Sequence, residues 1–326
     1  MSPQVEEYFK FTCEYIKIYG PKTIVLYLSG DWYEVYAIVD SDGNYAVVDT
    51  DGSYLPSCIQ EVHHYLNADI SVPKEEGVSG AHTYGGKQVV RTGVRQTFIH
   101  QTVRSLIAAG YTVPRIDQYP RVINGTPVLK NGKQVFDRRM SHVYTAGTYD
   151  DKESVKLTNN IGCYWFHYES KDNICKKEML YSGMCILDSY TGTIRSQEID
   201  VEVTQDSGCF DSIGGFHEIQ NPSEVIVISN MPDGLYDIMN RHVFNNSVKI
   251  LKIDLNKKGD QQSKVKYILK RDVQKQFIQQ YYAHKYHKAL HDMFMEYRYS
   301  SYALCYLIDY VKSCNPDIVD MLHVPT

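Results

Sequence analysis

The run Tyr19-Gly20-Pro21-Lys22-Thr23-Ile24-Val25-Leu26-Tyr27-Leu28-Ser29-Gly30-Asp31-Trp32-Tyr33-Glu34-Val35-Tyr36 decides the reading of the amino-terminal half. Tyr19-Gly20-Pro21 closes a helix, because glycine ends helices at little cost and proline cannot continue them. Thr23 to Leu28 is a nearly continuous apolar, β-prone run and reads as a buried strand. Trp32 to Val39 reads as a second strand, separated from the first by Ser29-Gly30-Asp31. Residues two apart on a strand point the same way, so Trp32 and Glu34 project together while Tyr33 faces a core.

Working outward, Glu6 to Ile18 predicts a helix whose apolar face carries Tyr8, Phe9, Phe11, Tyr15 and Ile16. Asn44 to Val48 and Gln88 to Val90 are weaker strand signals. Thr97 to Ala109 reads as a helix, with Phe98, Val103, Leu106 and Ile107 on its buried side and Gly110 as its stop; Val113 to Ile116 follows as a strand. Tyr119 to Gln134 is turn-rich, with Asn124-Gly125 and Asn131-Gly132, and reads as a linker. A second α/β unit then begins. Ile161 to Tyr168, Tyr181 to Asp188 and Thr193 to Glu198 read as consecutive strands, with Ser189 to Gly192 as a hairpin turn. Glu224 to Ser229 and Lys249 to Ile253 are further strands. Asn256 to Lys264 reads as a charged loop, and helical periodicity dominates from Val273 to Val311. No period of about 20 to 50 residues recurs, which excludes a repeat protein.

The 326 residues are 43% hydrophobic and 22% charged, an ordinary globular composition with length for two or three domains. No segment approaches the apolar run of about 20 residues that a membrane span needs. Met1 to Tyr19 carries Glu6, Glu7, Lys10 and Glu14 and lacks a signal-peptide core, so the chain is expected to be intracellular, not secreted. Its 8 cysteines contain no C-x-x-C pair and read as reduced, mostly buried thiols. The sequons at Asn124 and Asn245 carry no meaning without a secretory signal.

Charge is unevenly distributed within a net of −5. Asp31 to Glu76 holds ten acidic residues against Lys74 alone, whereas Gly77 to His142 holds ten basic ones against Asp117 and Asp137. Two readings fit: a phosphate-facing edge, or two segments that pair with each other.

The Gly30-Asp31-Trp32-Tyr33-Glu34 segment resembles the opening of the MutS mismatch-binding domain, where a buried strand runs into Gly-Asp-Phe-Tyr-Glu. Four more stretches resemble that family in the same order. Gly93-Val94-Arg95-Gln96 leads into a helix and the strand Val113 to Gln118, with Arg95 and Asp117 departing from the family's Gly-Val-Pro and Glu-Gln. Arg138 to Thr148 resembles the strand entering the connector domain, with Ala146 in place of proline. Leu187-Asp188-Ser189-Tyr190-Thr191-Gly192 resembles the connector hairpin. Ser301 to Val311 resembles the helix where the core domain begins.

The resemblance implies an α/β chain: a mixed-sheet MutS-like mismatch-binding domain (residues 1–120), a linker (121–137), a ribonuclease-H-like connector domain (138–270) and the first helices of an all-α core domain (271–326). It implies that Trp32, in place of the family's phenylalanine, enters the minor groove and stacks on a mispaired base. Glu34 would contact the same base, with Asp31 beside them. Arg91, Arg95 and Arg104, drawn from the basic segment, are candidates for phosphate contacts. The implied partners are double-stranded DNA with mispaired or unpaired bases, and a MutS-like dimer partner or downstream repair protein at the connector. No cofactor is implied in this chain. ATP and Mg²⁺ belong to the family's ATPase domain, whose G-x-x-x-x-G-K-[ST] loop is missing here; Gly80 to Lys87 comes nearest, with the wrong spacing.

Two other functions compete. A nuclease would place metal on clustered carboxylates, for which Asp188, Asp200 and Glu202 are available. A pure interaction module that has lost DNA binding would suit the acidic stretch and the tryptophan. His284, His287 and His291 lie at helical spacing and read either as a metal site or, among Tyr281, Tyr282 and Tyr286, as a helix face.

Overall fold

The computed structural model describes residues 3–73, 83–123, 125–130, 132–149, 158–171, 177–244, 248–257 and 260–326. Lys74 to Glu76 of the acidic stretch, Gly80 to His82 of the Gly80 to Lys87 segment, Cys175 and the sequon at Asn245 lie outside them. The fold is mixed α/β, in two compact units, Met1–Ala146 and Gly147–Thr326.

The first unit opens with α1 (Pro3–Tyr19), whose Val5, Tyr8, Phe9, Cys13 and Tyr15 are buried. Its strands are β1 (Leu26–Ser29), β2 (Trp32–Val39), β3 (Tyr45–Val48), β4 (Tyr54–Pro56), β5 (Thr83–Tyr84), β6 (Lys87–Arg95) and β7 (Val113–Pro120). Helix α2 (Ile59–Leu66) precedes β5, and α3 (Ile99–Ala108) lies between β6 and β7. β1 is shorter than the apolar run that announced it; Thr23 makes only an isolated bridge to Thr112. β2 is the hub, antiparallel to β1 and β3 and, along its length, to β6, while β1 runs parallel to β7.

Two stretches near the expected linker are ordered differently from the reading above. Short pairs form between β8 (Val122–Ile123) and β9 (Thr126–Pro127), and between β10 (Leu129–Lys130) and β11 (Lys133–Gln134). β12 (Phe136–Tyr144) then returns antiparallel to β7, from Phe136↔Pro120 to Tyr144↔Val113. The strand expected to enter the second domain at residue 138 thus belongs to the first sheet. The division falls between Ala146 and Gly147 because eight ladder pairs, interrupted by a bulge at Ser141, hold β12 to β7.

The second unit contains β13 (Asn160–Glu169), β14 (Met179–Asp188), β15 (Ile194–Glu202), β16 (Glu224–Ser229) and β17 (Lys249–Asp254), in sheet order β15-β14-β13-β16-β17. β14 is antiparallel to both neighbours, and β13, β16 and β17 are mutually parallel. β16 is buried along its whole length, which explains its unbroken apolar reading. Helices α4 (Asp211–Gln220) and α5 (Asp233–Val243) contribute Ile213, Phe216, Tyr236 and Met239 to a core with Tyr164, Phe166 and Met184.

Helices α6 (Asp260–Ile268), α7 (Arg271–Tyr281), α8 (His287–Glu296) and α9 (Arg298–Cys314) complete the chain. α6 occupies much of the expected charged loop. α9 packs on β13 and β14, with Trp165 and Tyr302 ring centroids 5.1 Å apart. Gly183 makes that approach possible, since a Cβ there would lie 2.0 Å from the Tyr299 carbonyl carbon. Residues 271–326 therefore do not stand apart as a separate helical domain. Their apolar α9 face is buried against the second sheet and belongs to its unit.

Candidate nucleic-acid interface

β1 and β2 join through a two-residue turn, Gly30-Asp31, with Ser29 opposite Trp32. Gly30 takes φ +60°, the left-handed value such a turn requires at its first position and a side chain would resist. The turn leaves Trp32 at the sheet margin, 43% exposed, while Tyr33 is fully buried. The alternation read from the sequence holds on both faces.

Tyr33 faces a polar network. Its hydroxyl donates to Asp117 Oδ1 at 2.6 Å and accepts from Arg115 Nε at 2.7 Å; Arg115 also pairs with Asp117 at 2.8 Å. Burial pushes the Asp117 carboxyl up, but hydrogen bonds from Tyr33, Arg115 and Ser141 outweigh it and hold it below the usual range. Asp117, a departure from the family pattern, is thus a paired core carboxylate.

Glu34, 8% exposed, points to the same side as Trp32. Its Oε1 accepts from Arg91 Nη1 at 2.7 Å, and its Oε2 accepts from the Tyr36 hydroxyl and, at 3.5 Å, from Gln4 Nε2. Burial and the neighbouring Glu34 charge push the Tyr36 hydroxyl up, so it stays a donor. The residue opposite Glu34 on β6 is Gly93, where a Cβ would meet Tyr33 O at 2.5 Å. Gly93 therefore lets β6 close on β2 and puts no side chain over the carboxylate.

Arg95 is directly opposite Trp32, and its guanidinium carbon lies 5.4 Å from the indole centroid. Trp32, Glu34, Arg91 and Arg95 line one cleft of about 870 Å³, bordered by Tyr65 of α2 and by Phe98 just ahead of α3. Asp31 sits at the rim, in a smaller recess with Trp32 and Arg95, and its carbonyl accepts from the Gln96 N–H at 2.8 Å. Arg104, half-buried on α3, is not part of the cleft lining.

Phe98 corrects one expectation. It is 56% exposed, because it ends the short 3₁₀ turn Gln96–Phe98 before α3 begins, one step outside the helix's buried stripe of Ile99, Thr102, Val103 and Leu106. Tyr65, 46% exposed on α2, was not among the sequence candidates. Its signal was available in Ile59, Val62 and Leu66, whose spacing marks a short amphipathic helix with Tyr65 off the buried face.

The charge segments pair only in part. Arg91 reaches back to Glu34 in the acidic segment, but Arg115 and Arg121 pair with Asp117 and Asp137 inside the basic one. Arg95 makes no ion pair among the described residues.

The carboxylates proposed for metal are dispersed. Asp188 Oδ1 accepts from the Asn159 and Tyr190 N–H groups at 3.0 and 3.1 Å, and its Oδ2 accepts from the Thr191 hydroxyl at 2.8 Å, so it holds the β14–β15 turn. Asp200 lies opposite Tyr181, and Glu202 pairs with Lys177 at 2.5 Å. His284 and His287 have ring centroids 5.2 Å apart, and His287 Nε2 lies 2.8 Å from the Tyr282 carbonyl. Among the described residues no group of three or more His, Cys, Asp or Glu side chains is placed to hold a metal ion. Nor is any helix among them long and apolar enough to cross a membrane.

Neither a protein-family model nor a curated protein sequence matches the chain. Among solved structures, it is similar to the Holliday junction resolvase of fowlpox virus. That match has 14% identity and a TM-score of 0.30, over 47% of this chain and 98% of the resolvase.

Proposed function

We propose that the first unit binds double-stranded DNA at mispaired or unpaired bases, with Trp32 as the aromatic wedge and Glu34 as the carboxylate beside the displaced base. The observation that carries this reading is the exposed Trp32 at the tip of a tight hairpin, opening on a cleft it shares with Phe98, Tyr65, Arg91 and Arg95. Inserting a ring between base steps costs a few kcal/mol of unstacking, and least at a mispair. Stacking on an aromatic face returns about 1–3 kcal/mol per base. A wedge of this kind reports a weak point in the duplex rather than base identity.

The Glu34–Arg91 pair removes an objection to this role. A lone carboxylate repels phosphates, whereas one paired at 2.7 Å brings no net charge to the duplex. It retains acceptor capacity for a base N–H. Arg95 would contact a backbone phosphate, and its guanidinium beside the indole supports that reading.

For the second unit, the order β15-β14-β13-β16-β17 with an antiparallel β14 supports a ribonuclease-H-like connector. Its role is then relay rather than chemistry: it would face a MutS-like dimer partner or a downstream repair protein. ATP and Mg²⁺ would act in the ATPase domain that family members carry.

The test is the affinity for a duplex with one G·T mispair against its matched twin, at one low salt concentration, for the parent and Trp32→Ala. Mismatch preference in the parent and its loss in the variant are expected. Weak or absent binding of both duplexes by the parent would favour an interaction module that has lost DNA binding, and equal binding of both would remove the wedge.

A further inference from the structure

A second cleft, of about 350 Å³, lies within the carboxy-terminal unit between α7, α8 and α9. Arg271 and Lys275 reach it from successive turns of one face of α7, His291 from α8 and Arg298 from the first position of α9. No carboxylate is among its lining residues. Asp272, Asp292 and Glu296, the acidic residues of α7 and α8, are exposed outside it. Among the described residues, Arg271, Lys275 and His291 form no ion pair.

Both arginines sit at the positive ends of helices, where a cation is disfavoured, and no side chain caps α7. At α9 the Tyr299 and Ser300 N–H groups are already taken by Glu198, at 2.9 and 3.0 Å. Arg298 is held in place by its own bond from Nε to the Tyr302 hydroxyl at 2.7 Å, which leaves its terminal nitrogens for an outside acceptor. Cations gathered in one cleft without a lining carboxylate are stabilised by an anion, and guanidinium and ammonium groups match phosphate oxygens.

The rim adds an apolar element. Leu269 is 38% exposed and Met295 63% exposed, and both line the cleft. We infer that this cleft binds a nucleotide, with its phosphate among Arg271, Lys275 and Arg298 and its base against Leu269 and Met295. The same chemistry is offered by a free nucleotide and by one nucleotide of a DNA strand. The site is separate from the Trp32 cleft and does not depend on mismatch recognition.

The experiment is calorimetric titration of the full chain with dAMP at low salt, followed by competition with a ten-residue oligo(dA). The double variant Arg271→Gln/Lys275→Gln removes two exposed charges; Lys285→Gln/Lys288→Gln removes two from outside the lining. Saturable dAMP binding is expected, weakened about tenfold or more by the first pair and less than about twofold by the second. Displacement of dAMP by the oligonucleotide would assign the site to a strand, and its absence to a free nucleotide; either supports the site. No dAMP binding by the parent, or equal weakening by both pairs, overturns it.

Discussion

Trp32 and Arg95 face each other across β2 and β6, and the Arg95 guanidinium lies 5.4 Å from the centre of the indole ring. Two strands far apart in sequence thus supply one surface feature, an exposed aromatic plane with a cation above it. Neither group is engaged in the core, so their joint position is available to a ligand.

Arg95→Ala removes the cation without touching the fold. An exposed cation–π contact is worth about 0.5–1 kcal/mol, so thermal stability should move by only a few degrees. If Arg95 also meets a phosphate, affinity for matched and mismatched duplexes should fall together, and the slope of log affinity against log salt should lessen by about 1. An unchanged salt slope would remove Arg95 from the interface.

Breaking the Glu34–Arg91 pair is a test of stability as well as binding. Arg91→Met leaves a carboxylate that is 8% exposed with only Tyr36 and Gln4 as partners. Losing one partner of a fully buried pair costs about 3–5 kcal/mol. The Arg91 side chain is 40% exposed, so about 1–2 kcal/mol is expected here by urea denaturation. Adding Glu34→Gln should recover most of it; a double variant as unstable as Arg91→Met would show that the pair is not the cause.

The second unit carries an acid-sensitive group. Burial lowers the His217 imidazole to about 4, and its Nδ1 lies 3.1 Å from the Tyr164 hydroxyl. A histidine depressed in the folded state favours folding fully above its unfolded value, about 6.5, and loses that contribution as pH falls toward 4. The melting temperature of the parent should therefore decline across pH 6.5 to 4. In His217→Gln that decline should be shallower, measured as the difference between the two curves rather than as either alone.

Gly183→Ala tests whether α9 belongs to the second sheet. The new Cβ would fall 2.0 Å from the backbone of Tyr299, which no rotamer change can relieve. Overpacking of this kind costs about 1–3 kcal/mol, and here the strain falls on one helix. Limited proteolysis should then cut near Arg298 sooner than in the parent. Equal cutting rates would mean that α9 is held elsewhere.

Local pattern carried much of the fold. Trp32–Val39 and Glu224–Ser229 are strands over the ranges their sequences announce, because unbroken β-prone runs ending in turn residues leave little choice. Partnership was less legible. Nothing in Arg138 to Tyr144 says that its ladder partner is β7 rather than a strand further on, and the domain boundary moved accordingly. α4 and α5 carry mixed polar sequences and gave no reading, although packing on Tyr164 and Met184 makes them helical layers. At the site, alternation placed Trp32 and Glu34 on one side. It could not bring Arg91, 57 residues on, to the carboxylate, nor turn Phe98 out of the helix stripe into the cleft.

The central claim is that the Trp32 ring stacks at a mispair, and its own fluorescence reports that contact. The chain has only two tryptophans, and Trp165 is buried in the other unit, so a Trp165→Phe background leaves Trp32 as the sole reporter. Titration of that protein with a G·T duplex should quench the indole well beyond what the matched duplex produces at equal occupancy, as stacking on a base predicts. Equal quenching by both duplexes, or none by either, would contradict the wedge.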